Sequence, residues 1–110
     1  MIKKRPHTAR EVAAFALFSM EEEGAWSDGA LHHYLDRANL SSRDRALATR
    51  MTYGVIQNRL LCDWYLCQFS KIRLAKIAPR VRICLQLGIY QLTLTSRIPP
   101  HAAVDETVAL

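Results

Sequence analysis

Residues 12–20 read Val-Ala-Ala-Phe-Ala-Leu-Phe-Ser-Met, with Ser19 the only polar position. This run lacks the period-two alternation of a half-buried strand, and it predicts a helix enclosed on most sides. Thr8 and Glu11 precede it at capping-box spacing, so hydroxyl and carboxylate can each satisfy an orphan N–H. Gly24 supplies its C-terminal stop. Ser27 or Asp28 predicts the cap of a second, shorter helix with Leu31, Tyr34 and Leu35 inward, and Asn39 is its terminator.

Ser41-Ser-Arg-Asp44 repeats the capping-box spacing and opens the longest helical stretch, in which Asp44 is a structural residue. Leu47, Met51, Gly54, Val55 and Asn58 follow a helical rhythm, which Leu61, Tyr65 and Phe69 continue. Residues 70–78 predict a short helix or turn with Leu74 and Ile77 facing in. Residues 79–95 then place Val81, Ile83, Cys84, Leu85, Leu87, Ile89, Tyr90, Leu92 and Leu94 all around a helical wheel. A helix apolar on nearly every side must be surrounded, so this one is expected at the buried centre of a bundle. Pro79 suits its first turn, and Pro99-Pro100 prevents its continuation.

Gly54 and Gly88 are interior helix glycines, each costing about 1 kcal/mol relative to Ala. Tight helix crossings at both positions would explain them. Residues 101–110 open a last helix with Ala103, Val104 and Val108 inward. It stops without a cap, which predicts a piece of something longer, and an uncovered patch near Val104, Val108 and Leu110 that favours self-association. The fold class is all-α, with residues 1–8 a flexible basic arm and 9–110 one helical domain.

A chain of 110 residues with 50% hydrophobic content can bury a real core. No apolar run reaches the roughly 20 residues of a membrane span. The basic N-terminus lacks a small-residue cleavage site, so a signal peptide is not expected. Cys62, Cys67 and Cys84 are odd in number and lie inside helical patterns, as reduced core thiols of a cytoplasmic protein do.

Charge adds a direction. The net charge is +5, and no acidic residue lies between Asp63 and Asp105, where Lys71, Arg73, Lys76, Arg80, Arg82 and Arg97 fall. Lys3, Lys4, Arg5 and Arg10 form a second group without an acid. Segregated positive charge favours a polyanion partner, nucleic acid above all, and on composition alone a merely solvated basic surface is an equal alternative. Arg80 and Arg82 stand in a first helical turn, where the macrodipole disfavours cations, and cations beside free N–H groups make an anion site. Glu21, Glu22 and Glu23 offend the dipole equally at the end of the first helix, so charge placed against the dipole does not by itself mark a function.

Catalytic chemistry is not legible. His32 and Asp36 share a helix face beside His33, but nothing else with ligand chemistry stands at a metal-binding spacing. His101 and Asp105 form an i, i+4 pair that reads as structural. No Ser/His/Asp set, phosphate-cradling glycine loop or pair of inward carboxylates is found.

Six motifs carry a resemblance. They are Ala9-Arg10 opening an apolar helix, Leu40-Ser-Ser-Arg-Asp-Arg45, Tyr53-Gly-Val55, Leu61-Cys-Asp63, Leu87-Gly-Ile-Tyr-Gln-Leu92 and Ile98-Pro-Pro-His-Ala-Ala-Val-Asp-Glu106. Over residues 9–110 the chain resembles the NusB-like domain. It is most similar to the version at the N-terminus of bacterial ribosomal RNA cytosine-5 methyltransferases of the RsmB/Sun/Fmu type. The resemblance implies an all-helical RNA-binding domain of two packed helical subdomains, with RNA contacts at Lys3, Lys4, Arg5 and Arg10. It also implies a following catalytic domain that binds S-adenosylmethionine and carries the catalytic cysteines. That domain would be a further partner, and this chain holds neither it nor its cofactor, so Cys62, Cys67 and Cys84 are not those nucleophiles. A free-standing antitermination factor of NusB type and a protein–protein docking module are the alternatives.

Overall fold

The computed structural model describes residues 6–24, 28–69 and 73–93. Among these the regular structure is helical throughout, as the absence of alternation predicts. The order is α1 (Ala9–Glu23), α2 (Asp28–Ala38), α3 (Ser42–Gln57), α4 (Arg59–Phe69), a 3-10 turn (Leu74–Lys76) and α5 (Pro79–Thr93). The chain divides into two compact units, Met1–Tyr53 and Gly54–Leu110.

In the first unit α1 is the enclosed helix, with Val12, Ala13, Ala14, Ala16 and Leu17 fully buried. Its caps are those the sequence predicts. The Thr8 hydroxyl accepts from the Glu11 N–H at 3.1 Å. The Glu11 carboxylate accepts from the His7 N–H at 3.3 Å. Gly24 takes the left-handed conformation at φ 74° and donates to the Glu21 carbonyl. Pro6 is fully buried, so the basic arm is anchored by this point. Residues 1–5 lie outside the described residues.

Helix α1 packs on α2, where Phe15 meets Tyr34 edge-on at 5.8 Å between ring centroids. Asn39 ends α2 with φ 54°, a left-handed geometry that Asn tolerates better than most residues. Ser41 then caps α3 by accepting from the Asp44 N–H at 3.2 Å. Arg45 Nη1 donates to the Leu35 carbonyl at 3.3 Å, and the Tyr53 hydroxyl donates to Asp28. These two bonds join opposite ends of α2 and α3, which therefore run antiparallel.

The second unit departs from the expected rhythm at Asn58. The predicted long helix breaks there into α3 and α4, and the Asn58 Nδ2 donates back to the Gly54 carbonyl at 2.8 Å. The break shifts the register by one residue. Cys62 and Leu66 are buried, whereas Leu61 is exposed and Tyr65 only half-buried. Helix α4 packs on α5, and buried Gln86 donates to Asp63 Oδ1 at 2.7 Å.

Gly54 lies against α5 as expected. A Cβ built there would come well inside 3.0 Å of the Tyr90 ring, two residues beyond Gly88. Gly88 itself is half-buried.

Helix α5 is less enclosed than its wheel suggests. Ile83, Gln86, Leu87, Tyr90 and Gln91 are buried, while Val81 is 52%, Leu85 42% and Leu92 49% exposed. The physical reason is that two glutamines take the inner face. Gln86 has Asp63 as partner and Gln91 donates to the Leu87 carbonyl at 3.0 Å, so neither is a buried unsatisfied amide. The predicted short turn is found at Leu74–Lys76, with Ile77 half-buried. The helix expected at 101–110, with Val104, Val108, Leu110 and the His101–Asp105 pair, lies outside the described residues.

Candidate nucleic-acid interface

Pro79 has no N–H to lose and begins α5, which places Arg80 and Arg82 together in the first turn. Both are half-buried, and each makes an interaction within the protein. The Arg82 N–H is already used, donating to the Ala78 carbonyl at 3.0 Å. Arg73 and Lys76 lie just before them, both exposed, with the Lys76 N–H donating to the Arg73 carbonyl at 2.9 Å. The turn between α4 and α5 thus gathers four cations on one short segment, and the sequence supplies no acid there.

Arg10 stands in the first turn of α1, in the other unit, and is half-buried with an interaction of its own. Lys3, Lys4, Arg5, Lys71 and Arg97 lie outside the described residues. Exposed Arg37, Arg43 and Arg50 were not singled out by sequence reasoning. The signal available for two of them was the seven-residue spacing of Arg43 and Arg50, which sets both on one face of α3.

The acids at the end of α1 are partly explained. The Ser19 hydroxyl donates to Glu23 Oε1 at 3.2 Å, one turn back on the helix. His32, His33 and Asp36 are exposed. Among the described residues no group of three or more His, Cys, Asp or Glu side chains could hold a metal ion.

The thiols occupy three environments rather than one core. Cys62 is buried, Cys84 half-buried and Cys67 exposed, and all three are free. Burial, reinforced by the neighbouring Asp63 charge, pushes the Cys62 thiol up to about 11. Burial also raises Cys84. Raised thiols are poor nucleophiles at neutral pH, so neither has the character of a catalytic cysteine. The Tyr53 hydroxyl is raised first by its hydrogen bond to Asp28, then by burial and that carboxylate's charge, which marks a structural tie.

The model of the NusB family matches residues 7–110. The chain belongs to the NusB family. This NusB domain is 39% identical over 105 residues to the ribosomal RNA small subunit methyltransferase B of Sodalis glossinidius, covering 96% of this chain and 24% of that protein. It is 32% identical over 103 residues to a probable ribosomal RNA small subunit methyltransferase B of Bacillus subtilis (strain 168), covering 94% and 23%. A probable enzyme of the same name in Synechocystis is 31% identical over 103 residues, with the same coverage. The chain therefore spans about a quarter of the length of the curated relatives it matches. No solved structure matches it. Among the described residues no helix is long and apolar enough to cross a membrane.

Proposed function

We propose that this NusB domain is an RNA-binding accessory domain that positions ribosomal RNA for a methyltransferase domain of a longer protein. Its RNA contacts are Arg80 and Arg82, together with Lys3, Lys4, Arg5 and Arg10. The observation that carries the reading is the acid-free basic turn entering α5, where Arg73, Lys76, Arg80 and Arg82 meet a helix N-terminus. Cations and backbone dipoles there act on the same phosphate, and phosphate contacts are what hold RNA in register. The likeness to ribosomal RNA small subunit methyltransferases over 94–96% of the chain supports ribosomal RNA as the substrate class.

On this reading the transfer from S-adenosylmethionine belongs to the parent's other domain, which is also this domain's covalent partner. The working compartment is the cytoplasm, where ribosomal RNA is modified. The test is a salt titration of this chain against a small-subunit ribosomal RNA fragment. Phosphate neutralisation gives log affinity falling linearly with log salt, at a slope of about −0.7 to −0.9 per phosphate engaged. A flat dependence overturns the reading and favours a docking module whose basic face only solubilises it.

A further inference from the structure

Helix α3 commits four of its polar side chains to the fold. Arg45 donates to the Leu35 carbonyl and Tyr53 to Asp28, while Thr49 and Thr52 each donate one turn back, to the Arg45 and Ala48 carbonyls. Arg43 and Arg50 do no such work. Both are exposed, and among the described residues no hydrogen bond or ion pair engages either. By contrast Arg10, Arg37, Arg59, Arg80 and Arg82 each make an interaction within the protein.

Seven residues apart, Arg43 and Arg50 share one face of α3 and stand about 10 Å from each other along its axis. Exposed Ala46, one turn from both, is the small residue between them. The one acid of α3 is Asp44, which is half-buried. Its place next to Arg43 in sequence turns it about 100° around the helix from that arginine. The face therefore carries two unengaged cations and no counter-charge of its own helix.

We propose, resting on the RNA-binding reading above, that Arg43 and Arg50 form a second phosphate-contacting ridge with the RNA backbone running along α3. Both lie in the first compact unit, on a helix to which no RNA contact has been given so far. A guanidinium meets a phosphate with two N–H groups at once and stays charged throughout the physiological range. Two of them about 10 Å apart, each extended, meet two phosphates and not one, so a strand of phosphates fits this ridge better than a single small anion.

The test is a salt titration of Arg43→Gln/Arg50→Gln beside the unaltered chain, with the same small-subunit ribosomal RNA fragment. Circular dichroism should not change, because both side chains are exposed and unbonded. The slope of log affinity against log salt should shrink by about two units. Affinity should fall alike for fragments of different sequence, since phosphate contacts carry no sequence information. Arg43→Lys/Arg50→Lys keeps both charges and should keep the slope. An unaltered chain that binds with a steep slope, beside a glutamine variant of the same slope, overturns the ridge and leaves the RNA-binding reading standing. A lysine variant that loses as much slope as the glutamine variant also overturns the ridge, because charge would not be what was lost. No salt-dependent binding by the unaltered chain overturns both.

Discussion

Cys62 sits where its thiol must stay neutral. Its folded pKa is pushed from 9.0 up to about 11, so between those values the native state holds a proton that the unfolded chain releases. Stability depends on pH through the difference in protons bound, and here the unfolded state binds fewer. The contribution of Cys62 is thus fully present below pH 9.0 and is lost as pH rises toward about 11. Cys84 and Tyr53 are raised as well and add to the loss in the same direction. Denaturant melts at stepped alkaline pH should show falling stability across this window, with a shallower fall in Cys62→Ala. At pH 8 a thiol reagent should label exposed Cys67 first and Cys62 last; equal rates would mean that Cys62 is not buried.

At the scale of the element, the contact of α3 with α5 turns on Gly54. Alanine gains about 1 kcal/mol of helix propensity over glycine. The added Cβ, however, meets the Tyr90 ring well inside contact distance, and Tyr90 is itself buried. Overpacking of this kind costs typically about 1–3 kcal/mol, so Gly54→Ala should destabilise overall. In a Tyr90→Leu background the same substitution should cost little. A melting temperature raised by Gly54→Ala alone would show that the ring moves aside freely.

This contact was legible in the sequence, because an interior glycine in an apolar stripe needs a reason. The caps at Thr8, Gly24, Asn39 and Ser41 were legible too, since each rests on a local hydrogen bond or a local φ. The break at Asn58 was not. Helical periodicity runs through it, and only the return bond of Asn58 to Gly54 reveals the stop. The inner face of α5 was misread for a related reason. Hydropathy places Gln86 outside and Leu85 inside, but the tie to Asp63 pulls Gln86 in and turns Leu85 out. A polar residue with a partner waiting is invisible to a wheel.

At the scale of the whole molecule, no group of three or more His, Cys, Asp or Glu side chains able to hold a metal lies among the described residues, and the chain matches the NusB family over residues 7–110. The exposed face of α4 makes a useful contrast. Leu60, Leu61 and Trp64 stand out on it by 87%, 39% and 55%, and α4 carries Arg59 as its one cation against the four of the turn that enters α5. The functional candidates of the charge pattern were readable because a gap in acids is a property of order along the chain. Their engagement within the fold was not, because Arg80 and Arg82 find those interactions only once the chain is folded. The most direct measurement compares the salt dependence of RNA affinity for the unaltered chain and for Arg80→Glu/Arg82→Glu, with circular dichroism confirming the fold. If both arginines neutralise phosphates, affinity falls and the slope of log affinity against log salt shrinks by about two units. A folded double variant with unchanged affinity and slope would contradict the account and leave α5 with no part in RNA binding.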